Sequence, residues 1–244
     1  MKKDFVKEKN IFTYAKRKET KMIGVIVAME SELKAIESRM NVSRVETIQD
    51  TVLHYGTLGN EEIVLCLAGV GKCKAAMSAT IVLMKEKVDV LINVGVAGGL
   101  KPEQNVMDMV ISNQVIQADF DTSPVDGEAG IGMCFDVDDA WIQKGIRIAQ
   151  ELNIPYSVGA VATQDIFMAD EADFAKLMKR FPQSACAEME GGAIAQVASS
   201  FNTPYLVLRS LSDVVCHDGN PMEFQTFAQK ASQRAGEFIE HWCK

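Results

Sequence analysis

Met22-Ile23-Gly24-Val25-Ile26-Val27 is an unbroken apolar run of strand length. A strand with one face in water alternates apolar and polar residues, whereas a strand covered on both faces has no need to. The run therefore reads as an interior strand packed from two sides. Its sequel, Ala28-Met29-Glu30-Ser31-Glu32, opens a helix from about Ser31 to Met40 and sets two acids at the junction. Acids at a strand end and a helix start are where α/β proteins build their sites.

The alternation continues along the chain. Val52–Leu58 and Glu62–Ala68 read as a hairpin about a Gly59-Asn60 turn. Lys72–Lys87 carries a helical apolar stripe through Ala76, Ala79, Ile81, Val82 and Met84. Strands are expected at Val88–Val94, Met107–Ile116, Ser157–Thr163 and Tyr205–Leu208. Helices are expected at Asp138–Leu152, Asp170–Phe181, Met189–Ser200 and Pro221–His241. Gln117–Asp136 is acidic, contains glycine and has no period, so it reads as a long loop. Alternating strands and helices imply an α/β protein with a mostly parallel sheet and helices on both faces.

Within 244 residues this is one domain, residues 22–244, after a polar, lysine-rich extension over 1–21 that lacks the apolar segment of a secretory signal and is expected to be flexible. A net charge of −8 argues against a nucleic-acid surface, and no apolar run is long enough for a membrane span. Six cysteines without a C-x-x-C pair read as reduced and largely buried, as in a cytoplasmic protein. Three histidines, none spaced as ligand pairs, give no zinc site. Cys216-His217 reads as loop sequence and not as a nucleophile with its base.

Gly69-Val70-Gly71-Lys72 fails the phosphate-loop pattern, because Cys66 and Cys73 stand where that pattern needs glycine and Ser/Thr, and it reads as a tight turn into a helix. Gly95-Val96-Ala97-Gly98-Gly99 follows a buried strand, and both a plain turn and a ligand cradle fit it. Glu30 and Glu32 are either partners of a helix dipole or catalytic groups. Glu188 and Glu190 flank Met189 where a turn enters the small-residue helix Gly191-Gly192-Ala193, which leaves room for a crevice. Asp213 ends Arg209-Ser210-Leu211-Ser212-Asp213 just past an apolar strand, as a cap or as an acid in a site.

Taken together, Ala28–Glu32, Gly69–Lys72, Asn93–Leu100, Glu188–Glu190 and Arg209–Asp213 resemble the 5′-methylthioadenosine/S-adenosylhomocysteine nucleosidases of the purine nucleoside phosphorylase superfamily, in order and spacing over Met22 to about Ser232. The resemblance implies a three-layer, nucleoside phosphorylase-like sandwich and a cytoplasmic enzyme of methionine salvage. It would hydrolyse the bond between adenine and a 5′-thio-substituted ribose, with 5′-deoxyadenosine as a further substrate. By the match, Asp213 is the general acid toward adenine and Glu32 the base that activates water. Glu190 grips the ribose and steadies its cationic charge, with Glu188 in support. Met189 lies on the ribose, Phe167 stacks on adenine, and Met168 meets the adenine edge through its main chain. Val96, Ala97 and Gly98 belong to the backbone approach, Ser212 lies near the base, and Arg209 lies beside the water and Glu32. The resemblance implies no metal or organic cofactor, a nucleoside as partner, and a homodimer whose second subunit closes the 5′ pocket.

Two departures bear on substrate choice. Val96 stands where many members carry serine, and the segment after Asp119-Phe120-Asp121-Thr122, Ser123 to Gly130, is shorter and lacks the aromatic residues that often cover the 5′-thio group from a neighbouring subunit. The rival readings are a phosphorylase of the same superfamily, a nucleosidase for a futalosine-type or other purine nucleoside, and a non-catalytic nucleoside sensor. A phosphorylase would set phosphate beside the Glu32 carboxylate, which repels it.

Overall fold

A computed structural model describes residues 22–168, 171–215 and 220–244, the last from 227 onward with side chains. The expectations for residues 1–21 and for Cys216-His217 lie outside the described residues. The first run forms β1 (Met22–Val27), with Val25, Ile26 and Val27 fully buried, as its lack of alternation requires. Next come α1 (Glu30–Glu37), β2 (Asn41–Ile48), β3 (Thr51–Leu58), β4 (Glu61–Leu67) and α2 (Lys72–Lys85). The middle of the chain holds β5 (Val90–Gly99), β6 (Met109–Asp121), α3 (Ser123–Asp126), a 3-10 turn at Gly127–Gly130, β7 (Ile131–Asp136), α4 (Asp139–Glu151) and β8 (Tyr156–Thr163). The last part holds α5 (Glu171–Arg180), β9 (Ser184–Glu188), α6 (Gly191–Ser200), β10 (Tyr205–Val214) and α7 (Asn220–Trp242).

All ten strands join one mixed sheet flanked by helices. β1 lies between β4 and β5, parallel to both, and β5 runs parallel to β10. β10 continues through β6, β8 and β9 back to β5, so these five strands close a circuit like a small barrel. The β2–β3–β4 meander, antiparallel throughout, forms the other edge. Helices α1 and α7 pack on each other, as do α2 and α6. One apolar cluster runs from Ile23 to Cys243, and each fully buried Val, Leu or Ile in it contributes about 1.5–3 kcal/mol. That core supports a polar site of several buried charges.

The 117–136 segment is not a loop. β6 runs on to Asp121, and β7 returns antiparallel beside it, with Gln114 opposite Asp136. β7 pairs with β6 alone and stays half exposed, so its apolar pattern is faint. Two further strands lack a clear signal. β9, Ser-Ala-Cys-Ala-Glu, is five small or polar residues, and β2 is exposed along most of its length. The glycine-rich stretch 95–99 is strand, not turn: it pairs with β10 on one side and with Ala187 and Cys186 of β9 on the other. Among the described residues, no helix is long and apolar enough to cross a membrane. The five described cysteines are free thiols; Cys66, Cys186 and Cys243 are buried, while Cys73 and Cys134 are exposed.

Candidate active site

Helix α1 starts at Glu30, which settles the choice between the first two acids. Residues two apart on a helix project about 200° apart, so one faces water when the other faces the core. Glu30 is exposed and Glu32 is 3% exposed. The Glu32 carboxylate accepts the N–H of Ala28 and of Met29 on Oε2, both at 2.9 Å, and the N–H of Val96 on Oε1 at 3.0 Å. It thus caps α1 and ties it to β5. A carboxylate has about four acceptor positions, so these three bonds leave one at Oε1. Burial raises the pKa of Glu32, while the backbone donors and Arg209 oppose that rise. Gly95 makes room for it, since a Cβ there would stand 2.6 Å from Oε1.

Glu188 ends β9, and Glu190 stands at the N-cap position of α6 without a side-chain capping bond. Helix starts leave backbone N–H groups without helical partners. Here Glu188 Oε2 accepts those of Glu190 at 3.0 Å and Gly191 at 2.7 Å, and Thr163 Oγ1 accepts that of Gly192 at 2.6 Å. Thr163 and Arg209 both donate to the same carboxylate. Arg209, 1% exposed, also donates to Asn93 Oδ1 and to the Leu208 carbonyl, and its Nη2 stands 3.9 Å from Glu190. Glu190 accepts the Gly71 N–H on Oε1 at 2.9 Å. Burial, reinforced by the Glu188 charge and offset by Arg209, pushes its pKa up to about 7.

Asp213 lies inside β10, where the ladder with β5 slips between Leu211 and Asp213. Such a bulge turns a side chain away from its regular alternation. Asp213 is 3% exposed and accepts Ser212 Oγ–H on Oδ1 at 2.7 Å. Its Oδ2 lies 3.1 Å from where a Cβ at Gly98 would be, so the bare backbone at 98 leaves that oxygen its space. Phe167 is 49% exposed, and Met168 is buried.

These groups line one cavity of about 210 Å³ at the carboxyl ends of β1, β5, β9 and β10. Every site residue expected from the sequence is on its wall except Arg209, which lies behind the glutamates and reaches Glu188, not the cavity. Val70, Ile166 and Val215 also line it. Thr163 and the Gly71 amide hold the two glutamates, and Asn93 accepts from Arg209; the sequence reading gives none of the three a role in the site. Asn93 had a signal: it is an amide inside an otherwise apolar run.

Closed strands carrying acids at their carboxyl ends around a small cavity match a known class. A family model described as the phosphorylase superfamily matches residues 22–243. A 5′-methylthioadenosine/S-adenosylhomocysteine nucleosidase of Anoxybacillus flavithermus is 36% identical over 223 residues, covering 89% of this chain and 96% of its own. The crystal structure of the nucleosidase of that name from Neisseria meningitidis, in complex with methylthio-immucillin-A, superimposes with a TM-score of 0.86 at 27% identity, over 91% of this chain and 98% of that one. A futalosine hydrolase of Helicobacter pylori gives 0.85 at 26%, over 91% and 97%. The chain belongs to the phosphorylase superfamily. Within it, the curated relatives place it in the 5′-methylthioadenosine/S-adenosylhomocysteine nucleosidase family.

Proposed function

We propose that this protein hydrolyses the N-glycosidic bond of 5′-methylthioadenosine and S-adenosylhomocysteine, releasing adenine. The bond breaks through an oxocarbenium-like sugar, so the site must protonate the departing base, hold positive charge at the ribose and deliver water. Asp213 gives its proton to the imidazole-ring nitrogen of adenine, which Phe167 stacks and the Met168 main chain borders. Glu32 takes the proton of the water, and Glu190 bonds the ribose hydroxyls. Glu188, occupied by Arg209, Thr163 and two amides, supports Glu190 from behind.

The observation that carries hydrolysis over phosphorolysis is the charge of the wall. No Lys, Arg or His is among its described residues, the Arg209 guanidinium is engaged behind it, and Glu32 and Glu190 face the space where an attacking phosphate would sit. An anion is repelled there and water is not. The test is adenine release from 5′-methylthioadenosine with and without phosphate. Free sugar formed equally in both buffers is the expected result, and a sugar phosphate formed only with phosphate overturns it. The structural likeness to a futalosine hydrolase makes futalosine the second substrate to assay.

Phe167→Ala should weaken binding of adenine nucleosides by about 1–3 kcal/mol, the worth of a base stacked on an aromatic ring. A dissociation constant left unchanged would remove the stacking role. A homodimer whose second subunit covers the 5′ end belongs to the same proposal, and the exposed apolar Ile166 at the cavity wall suits such cover. The free thiols suit a reducing, cytoplasmic setting.

A further inference from the structure

Three segments at the cavity are joined by side chains, not by strand pairing. The β6–β8 ladder ends with Gln117 opposite Thr163. Two residues on, Asp119 Oδ2 accepts the Asp165 N–H at 3.0 Å. The other oxygen of Asp119 accepts from Lys72 Nζ at 2.6 Å, and Asp165 Oδ1 accepts the Lys72 N–H at 2.8 Å. The preceding amide, Gly71, donates to Glu190. Consecutive amides of one turn thus hold Glu190, on one wall of the cavity, and Asp165, which immediately precedes Ile166, Phe167 and Met168 of another wall. The turn needs Gly71 at φ 97°, where an added Cβ would also stand 3.2 Å from Asp165 Oδ1. Lys72 is the first residue of α2, where a cation opposes the helix dipole, so helix stability does not explain a lysine there. The Lys72 and Asp119 side chains are only 19% and 23% exposed.

We infer that Lys72, Asp119 and Asp165 form a positioning clasp that fixes the spacing between Glu190 and the Phe167–Met168 wall. This rests on the proposed function, in which those walls hold the ribose and the adenine of one substrate. The clasp touches no reacting atom. It sets how well the two halves of the nucleoside are received together, and binding shared by ground and transition states shows in KM more than in kcat.

The experiment compares the full chain with Lys72→Met, Lys72→Arg and Asp119→Ala. In Lys72→Met, KM for 5′-methylthioadenosine should rise about tenfold with kcat and Tm nearly unchanged, and Lys72→Arg should recover most of the loss. Hydrogen exchange at the Gly71 and Asp165 amides should accelerate about tenfold in Lys72→Met, a readout that needs no turnover. If Asp119→Ala does not fold, Lys72→Met decides. Unchanged exchange at both amides, unchanged KM in Lys72→Met, or a fall of kcat together with Tm overturns the clasp. Absence of adenine release by the unmodified chain overturns the proposed function instead, and the exchange rates still decide the clasp.

Discussion

Asp213→Asn is expected to lower kcat by about 10²–10⁴-fold, the usual contribution of a positioned general acid, while the fold and the binding of an unreactive adenosine analogue persist. The substitution is nearly isosteric, and an asparagine oxygen still accepts the Ser212 hydroxyl that Asp213 Oδ1 accepts at 2.7 Å. The bulge in β10 that aims this side chain is set by backbone pairing with β5 and survives. What is lost is a proton that can be transferred, because an amide N–H donates a hydrogen bond but does not give up its proton. Adenine leaves poorly as an anion, so the loss falls on the chemical step and appears in kcat. Adenine release from 5′-methylthioadenosine in single-turnover and steady-state assays checks this, with thermal melting as the control for folding. Turnover near the unmodified rate would remove Asp213 as the acid.

How much of this was legible before the structure depends on whether the information is local. Val25, Ile26 and Val27 announce an interior strand because burial on both faces leaves no place for a polar residue. β9 is invisible in the sequence because Ser184–Glu188 is short and small, and its place is set by β5 and β8 on either side. Spacing alone does not rank Glu32 and Glu30 until the first turn of α1 is located to within one residue; the family resemblance, not the local pattern, selects Glu32. The resemblance puts Arg209 beside the water and Glu32, and its charge does act on Glu32. Its position behind the glutamates follows from the β5–β10 register, which pairs Val207 with Asn93 and so brings Asn93 within reach of the guanidinium. Glu188 illustrates the same limit. Its sequence marks it as a site acid, but its bonds come from Thr163 on β8, Arg209 on β10 and the start of α6, partners that only the closed circuit of strands assembles.

Glu32→Gln is expected to have an effect of similar size on kcat, about 10²–10⁴-fold, with a different signature in pH. As a base Glu32 must be ionised, and burial places its pKa above the ordinary carboxylate value of 4.5. In the unmodified protein, kcat/KM should therefore fall as pH drops through that raised value, and this limb should vanish in Glu32→Gln. A limb remaining near pH 7 would belong to Glu190, whose pKa is pushed up to about 7. Stability carries the opposite sign. A carboxyl group whose folded pKa lies above its unfolded value favours the fold at low pH, and that contribution is lost as pH rises from about 4.5 through the folded pKa. The melting temperature of the unmodified protein should thus decline across that range, less steeply in Glu32→Gln. The glutamine does not substitute freely. Its oxygen can accept the Ala28 and Met29 amides, which turns its NH₂ group toward the Val96 N–H, donor against donor, at a cost of about 1–3 kcal/mol. Neutralising a buried charge offsets part of that cost, so the variant should fold and still bind an unreactive nucleoside analogue. Rapid hydrolysis by Glu32→Gln, or an acid limb identical to that of the unmodified protein, would exclude Glu32 as the base and leave Glu190 as the carboxylate to test for water activation.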